Sequence, residues 1–156
     1  SSAASDVYKR QLNIYGDGPD YAALDSKIKQ YSLHKTIHMY PATTNIQSVY
    51  LNSSIFCFPS RYEGFSMALM EAMSYGLPAI AFKCPCGPSE IIENGINGIL
   101  VENKNINDFA YELQKLMKDE KLREEYGIRA AMETKYKFNI DHIMKQWVSL
   151  FNDLKS

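Results

Sequence analysis

The sequence has little net charge, few cysteines and no long hydrophobic run. Its 17 Lys and Arg residues nearly balance 18 Asp and Glu residues, so the formal net charge is −1. Such a balance provides no basic field for nucleic acid or anionic lipid. No apolar run approaches the roughly 20 residues that span a bilayer, and no segment has the layout of a secretory signal. We therefore expect no nucleic-acid partner and no transmembrane segment.

The three cysteines, Cys57, Cys84 and Cys86, do not have the number or spacing of a disulfide framework. A structural zinc site takes about four Cys or His ligands, and the three histidines show no ligand spacing. Reduced thiols in a cytoplasmic protein, with Cys57 buried in a strand, are the favoured interpretation. The sequence therefore predicts no metal site.

What the sequence does contain is an alternation of short apolar runs with segments of helical periodicity. Residues 1–11 lack periodicity and resemble a translated sequencing adapter, so we expect a disordered or artefactual tail there and a single domain over residues 12–156. The expected strands are 12–15, 36–39, 54–58, 78–82 and 98–101, and the expected helices are 20–31, 45–51, 66–75, 88–93, 106–117, 121–132 and 140–154. This alternation predicts an α/β fold, with a Rossmann-like open parallel sheet, flanking helices and a helical C-terminus.

One strand–loop–helix junction, residues 58–76, collects the residues that are suited to a ligand. Ligands of open α/β sheets bind beyond the carboxyl ends of the strands, and a helix that opens at Ser66 offers unpaired N–H groups to a diphosphate. Gly64 lets the backbone approach the ligand closely because it has no Cβ. Glu63 lies on the loop, whereas Glu71 lies about five residues into the helix, roughly 7–8 Å along its axis.

That separation excludes a close acid–base pair of Glu63 and Glu71. It suits an extended ligand, because a carboxylate accepts hydrogen bonds well from the vicinal hydroxyls of a ribose or a sugar ring. Taken singly, each glutamate is also explained as an ordinary surface residue. The position of the pair across the junction favours the binding interpretation.

The junction resembles the E-x7-E motif of glycosyltransferase family 4. The matching segment reads Pro59-Ser60-x-x-Glu63-Gly64-Phe65-Ser66-x-x-x-x-Glu71-Ala72-Met73-x-x-Gly76-x-Pro78. Residues 12–19, 84–101 and 138–147 resemble other blocks of that family in order and spacing. The resemblance extends over about residues 12–154.

The resemblance implies the C-terminal domain of a GT-B enzyme, in which two Rossmann-like domains enclose the active site. By motif position, Glu63 is the catalytic residue that contacts the transferred sugar, and Glu71 holds the ribose hydroxyls. The backbone amides that follow Glu63 face the sugar and the phosphates. Gly16 and a turn at residues 39–41 border the base. The donor-binding residues implied in this way are Gly16, Met39, Tyr40, Pro41, Gly64, Phe65, Ser66 and Glu71.

The implied function is donor binding in a retaining glycosyltransferase that moves a hexose or N-acetylhexosamine to a glycan or glycolipid acceptor. The donor is a nucleotide sugar, with UDP the expected nucleotide, and neither a cofactor nor a metal is implied. The acceptor-binding N-terminal domain and the family's phosphate-clamping Arg and Lys are missing from this sequence, so we expect the fragment alone to be inactive.

The intact protein is expected in the cytoplasm, peripheral at the inner face of the membrane. Two alternatives stay open: a sugar-nucleotide epimerase of similar architecture, and a non-catalytic nucleotide-sugar-binding module. A two-domain architecture also predicts that Trp147 and Phe151 are partly uncovered, because the last helix crosses toward the partner domain.

Overall fold

The computed structural model describes residues 10–154, so most of the expected tail lies outside the described residues. Residues 10–154 contain five strands and seven helices. The strands are β1 (Leu12–Tyr15), β2 (Ile37–Tyr40), β3 (Phe56–Phe58), β4 (Ala79–Lys83) and β5 (Gly98–Glu102). The helices are α1 (Tyr21–Gln30), α2 (Ile46–Leu51), α3 (Met67–Ser74), α4 (Pro88–Ile91), α5 (Ile106–Lys118), α6 (Glu120–Lys137) and α7 (Ile140–Asp153).

The chain divides into two compact units, with the boundary after Val49. In the first unit β1 and β2 pair in parallel, in register from Leu12 opposite Ile37 to Tyr15 opposite Tyr40. α1 connects the two strands, as a parallel pair requires. The rings of Tyr15 and Tyr40 stack at the end of this register, with centroids 4.9 Å apart.

In the second unit a three-stranded parallel sheet has the order β3-β4-β5, with β4 in the centre. Side chains alternate between the two faces of a strand. Accordingly, Ala79 and Ala81 face one apolar cluster, whereas Ile80 and Phe82 face another. The first cluster includes residues of α3, α4 and α6, and the second includes Leu116 of α5. The expected α/β fold with parallel strands and flanking helices is confirmed, although within residues 10–154 the strands pair as two sheets, whereas we expected one open sheet.

Local sequence signals account for most of the helix boundaries. The side chains of Asn105, Asp119 and Asn139 accept hydrogen bonds from backbone N–H groups of the first turns of α5, α6 and α7. These side chains are effective N-caps because they satisfy N–H groups that have no partner within the helix. Gly76 follows α3 with φ of +78°, the left-handed conformation that commonly ends a helix.

Several expected boundaries are wrong by one to five residues. β2 ends at Tyr40, one residue beyond the expected strand end at Met39, so only Pro41 of the expected turn at residues 39–41 follows the strand. The cause is pairing, because β1 extends the register as far as Tyr40. β3 is limited to Phe56–Phe58 and is only partly buried, since among the described residues it pairs with β4 alone.

The last helix, α7, presents an apolar face to solvent. Trp147 and Phe151 are 50% and 54% exposed, which confirms the prediction that these side chains are uncovered. No residue of α7 is buried. The expected apolar stripe of α5 is less uniform, because Leu116 is fully buried whereas Ile106 at the helix start is exposed. Among residues 10–154, no helix combines the length and the apolar character needed to cross a membrane.

Candidate functional site

The loop between β3 and α3 carries the first half of the candidate site. β3 ends at Phe58, and α3 begins at Met67 with Ser66 in the N-cap position. Glu63 on this loop is half-buried, and Phe65 is exposed. The loop therefore lies at the carboxyl end of a strand and at the N-terminus of a helix, as expected from the sequence.

Ser66 stands out in this loop because its side chain is buried without a partner. Its exposure is 1%, and its Oγ has no hydrogen-bond partner among the described residues. Its side chain caps no N–H group of α3. A buried hydroxyl without a hydrogen bond is unfavourable by roughly 1–3 kcal/mol. The Ser66 hydroxyl is thus a group whose hydrogen-bonding capacity a bound ligand can satisfy.

Glu71 lies on the outer face of α3. Its neighbours Leu69, Ala72 and Met73 are fully buried in the core, whereas Glu71 itself is exposed. The sequence suggested that a carboxylate in so apolar a stretch needs a partner or solvent. The Glu71 carboxylate has both: it is exposed to solvent, and the hydroxyl of Tyr50 lies 3.5 Å from Glu71 Oε2.

The residue before α4, Gly87, packs closely against the loop between β3 and α3. Gly87 has φ of +84°, and a Cβ at this position would lie 2.5 Å from Ser66 Oγ and 3.0 Å from the Gly64 carbonyl oxygen. Only glycine permits this approach without displacing its neighbours, because it combines the left-handed backbone with the absence of a side chain. The sequence analysis assigned no role to Gly87, although Gly87 and Pro88, at the start of α4, belong to a block that resembles the family.

An aromatic contact joins the loop to the end of α6. The rings of Phe65 and Phe138 meet edge to face, with centroids 5.7 Å apart. Phe138 follows the last residue of α6 and also packs against the core cluster that contains Leu69. Sequence reasoning missed this contact, since a single aromatic residue at a helix end does not reveal a partner far earlier in the chain.

The remaining predicted donor-binding residues lie in the first unit. The Gly16 N–H donates to the Tyr40 carbonyl oxygen at 3.0 Å, and Asp17 Oδ2 accepts from the Ala42 N–H at 2.9 Å. These bonds bring Gly16 close to Tyr40 and to the Pro41 segment. Glu63, Gly64, Phe65, Ser66 and Glu71 lie in the second unit. The base-bordering role of the first set stays a prediction.

Lys83, Arg61 and Cys57 lie near these segments in sequence. The exposed Lys83 ammonium lies 3.5 Å from the Glu102 carboxylate, and the carbonyl oxygen of Arg61 accepts from Asn103 Nδ2 at 3.2 Å. Burial raises the pKa of the Cys57 thiol to about 11. Within residues 10–154 no three His, Cys, Asp or Glu side chains form a group suited to a metal ion.

Two open cavities, of about 490 Å³ and 260 Å³, include neither Glu63 nor Glu71 in their walls. The larger lies between the end of α6 and the start of α7, and the smaller lies between α1 and β2. Met39 and Tyr40, two of the predicted donor-binding residues, line the smaller cavity, whereas the predicted residues of the loop 63–66 and Glu71 line neither.

Comparison with known proteins assigns the chain to a family. The model of the family described as "Glycosyl transferases group 1" matches residues 2–132. This chain therefore belongs to the group 1 glycosyl transferase family. The amylovoran biosynthesis glycosyltransferase AmsD of Erwinia amylovora is 36% identical over 142 residues, which make up 91% of this chain and 40% of that protein.

Two solved structures extend the likeness to three dimensions. A mutant of TarM from Staphylococcus aureus, in complex with fondaparinux, alpha-GlcNAc-glycerol and UDP, is 31% identical with a TM-score of 0.87; the match covers 97% of this chain and 31% of that one. The C-terminal domain of the group 1 protein LpcC from Francisella tularensis is also 31% identical, with a TM-score of 0.75 and coverage of 89% and 76%. Across three curated relatives, this chain spans 40%, 16% and 29% of their lengths.

Proposed function

We propose that this chain is the donor-binding domain of a retaining glycosyltransferase that transfers a hexose or N-acetylhexosamine from a nucleotide sugar. The observation that carries the proposal is the loop of residues 59–66. It brings a half-buried glutamate, a buried hydroxyl that has no hydrogen-bond partner within residues 10–154, and a helix N-terminus to the end of one strand. A sugar diphosphate presents the complementary groups, namely hydroxyls for the carboxylate and an anion for the helix N-terminus.

In this proposal the two glutamates bind opposite ends of the donor. Glu63 accepts hydrogen bonds from hydroxyls of the transferred sugar and is the catalytic residue. Glu71 accepts hydrogen bonds from the ribose hydroxyls. The backbone amides of Gly64, Phe65 and Ser66 face the sugar and phosphates, where fixed N–H dipoles stabilise the charge that grows on the leaving diphosphate.

The nucleotide, the stereochemistry and the absence of a metal are parts of the same proposal. UDP is the proposed nucleotide, and the UDP in the TarM complex, at 31% identity, supports that choice. No metal takes part in the proposed reaction, because backbone amides and basic side chains stabilise the leaving diphosphate. Retention of configuration is proposed from the resemblance of residues 59–78 to the E-x7-E motif.

The rest of the catalyst is proposed to lie outside this chain. A glycan or lipid-linked acceptor binds to a second, N-terminal domain, and the exposed face of α7 near Trp147 and Phe151 supports docking of further protein. Residues 12–156 form the donor domain and residues 1–11 a tail in this proposal. The intact protein is proposed to act in the cytoplasm, peripheral at the inner face of the membrane.

Calorimetric titration of the 156-residue chain with UDP, UDP-N-acetylglucosamine, UDP-glucose and GDP tests donor binding directly. We expect UDP and its sugars to bind and the Glu71→Ala variant to bind UDP at least about tenfold more weakly, as for the loss of a charged hydrogen bond. Glu124→Gln, which alters an exposed carboxylate on α6, is the matched control and is expected to bind as the wild type does. Unchanged UDP affinity in Glu71→Ala would refute the ribose role.

Activity is tested on the intact protein with the UDP-sugar that binds best. Glu63→Gln is expected to lower kcat strongly while leaving UDP affinity nearly unchanged, because the nucleotide lies at the other end of the donor. NMR of the product anomer distinguishes retention from inversion. Release of a free epimerised sugar nucleotide would contradict the transferase proposal and favour an epimerase.

A further inference from the structure

Tyr50 is buried at the end of α2 with its hydroxyl directed toward the candidate site. Only 5% of the residue is exposed, and its ring contacts Phe56 edge to face and Tyr75 at a tilt, with centroids 6.0 Å and 5.6 Å away. The hydroxyl lies 3.5 Å from Glu71 Oε2. A ring packed on two sides has a fixed orientation, so its hydroxyl provides a fixed point beside the carboxylate.

Glu71 needs such a fixed point because little else restrains its carboxylate. Within residues 10–154 no Lys, Arg or His forms an ion pair with it. Its backbone is well held, since the Glu71 carbonyl oxygen accepts from Ser74 Oγ at 2.7 Å and from the Tyr75 N–H at 3.3 Å. The side chain beyond it is exposed, and a free glutamate side chain loses substantial rotamer entropy when a ligand immobilises it.

The chemistry of the pair fits one donor and one acceptor. Burial, and secondarily the nearby Glu71 charge, raises the pKa of the Tyr50 phenol, so the hydroxyl keeps its proton throughout the neutral range. A carboxylate has about four lone-pair sites on two oxygens. A bond from Tyr50 to Oε2 therefore leaves enough acceptor capacity for the two adjacent hydroxyls of a ribose.

We propose that Tyr50 is a positioning residue that orients the Glu71 carboxylate toward the two ribose hydroxyls and so makes the site select ribonucleotide donors. This inference rests on the proposed function. Tyr50 does not contact the donor; it acts through Glu71 alone. Its removal therefore weakens only those ligands that carry both ribose hydroxyls.

The test compares UDP with 2′,3′-dideoxy-UDP in calorimetric titrations of the full chain. Tyr50→Phe keeps the buried ring and removes one oxygen. We expect it to weaken UDP binding about three- to tenfold, the usual effect of one hydrogen bond, and to leave dideoxy-UDP binding unchanged. Tyr75→Phe removes a hydroxyl from the neighbouring ring and is the matched control, with no effect expected on either ligand.

A second comparison shows whether Tyr50 acts through Glu71. In a Glu71→Ala background, Tyr50→Phe should have no further effect on UDP affinity, because the group it positions is gone. Should Tyr50→Phe lower the Tm, both ligands are titrated well below that Tm, and the ratio of the UDP affinity to the dideoxy-UDP affinity is compared with that of the wild type. A general loss of stability weakens both ligands, whereas loss of the positioning contact weakens UDP alone.

The outcomes separate this inference from the proposed function. If the wild type does not bind UDP, both are overturned. If it binds UDP but Tyr50→Phe leaves the affinity unchanged, or weakens both ligands equally, Tyr50 has no positioning role and the proposed function stands.

Discussion

Substitution of Gly87 by alanine probes the close contact behind the candidate loop. The added Cβ would lie 2.5 Å from Ser66 Oγ and 3.0 Å from the Gly64 carbonyl oxygen, where about 3.5 Å is an ordinary contact. Overpacking of this kind costs about 1–3 kcal/mol. The φ of +84° adds a backbone cost of about 1–2 kcal/mol for any residue with a Cβ. We therefore expect Gly87→Ala to lower the free energy of unfolding by about 2–5 kcal/mol.

Gly95 provides a control that separates the two contributions. Its φ is +78°, but a Cβ there would meet no atom within 4 Å. Gly95→Ala should therefore show only the backbone cost of about 1–2 kcal/mol. The difference between the two variants measures the steric cost at Gly87. Urea denaturation of the full chain gives both values, provided that the m-value is unchanged.

Binding provides the second measurement on the same variants. Relief of the overlap at Gly87 has to displace Ser66 or Gly64, so we expect UDP affinity to fall at least about tenfold in Gly87→Ala, comparable to the loss of a charged hydrogen bond. Gly95→Ala should bind UDP as the wild type does. Adding Ser66→Ala to Gly87→Ala removes the nearest atom and should recover part of the stability. Equal destabilisation in Gly87→Ala and Gly95→Ala, with UDP affinity unchanged, would refute the close approach.

Three further predictions concern packing, thiol reactivity and the last helix. A Cβ on Gly127 of α6 would overlap the Gly76 carbonyl oxygen, so Gly127→Ala should lower the free energy of unfolding, measured by urea denaturation, by about 1–3 kcal/mol. Helix propensity alone predicts that this substitution stabilises the protein, and such a result would contradict the overlap. Iodoacetamide at about pH 8 should alkylate the exposed Cys86 and spare Cys57. The pKa of Cys57, about 11, keeps the nucleophilic thiolate scarce until the pH approaches that value. Early labelling of Cys57, detected by peptide mass spectrometry, would contradict this prediction. Trp147→Ser should change the free energy of unfolding of this chain by less than about 0.5 kcal/mol, and a loss several times larger would mean that the α7 face is covered.

The sequence predicts the central part of the fold well because the relevant signals are local. The apolar run at residues 78–82 reads as a strand buried on both faces, and β4 is indeed paired on both sides. Helix starts at Asn105 and Asn139 follow from side chains that cap the next turn. In each case the residues that determine the structure lie within a few positions of it.

Boundaries set by distant partners were harder to predict. β2 extends to Tyr40 because Tyr15 of another strand pairs with it. α6 continues to Lys137, five residues beyond the expected end at Met132, and Glu133 within this extension accepts a hydrogen bond from the buried Asn97. Neither extension has a signal in its own segment, because tertiary contacts override weak local preferences.

In the candidate site too, residues with local signals were predicted and residues placed by distant contacts were not. Glu63 and Glu71 belong to one continuous motif, and they are predicted from their position across a strand–loop–helix junction and from the resemblance to the E-x7-E motif. Tyr50, Gly87 and Phe138 reach the same loop or helix from other segments of the chain. Their positions depend on how strands and helices are ordered in the fold, which the sequence pattern near each residue does not encode.

The contact between Phe65 and Phe138 has a consequence for the construction of chimeric transferases. An exchange of the segment from β3 to the end of α3 between two family members moves Phe65 but leaves Phe138 in the recipient. A recipient with a small side chain at that position would leave the transplanted ring without its edge-to-face partner, and one with a larger side chain would push the loop outward. The unit that can be transplanted is therefore discontinuous in sequence: it includes the loop, the glycine behind it and the residue that follows α6.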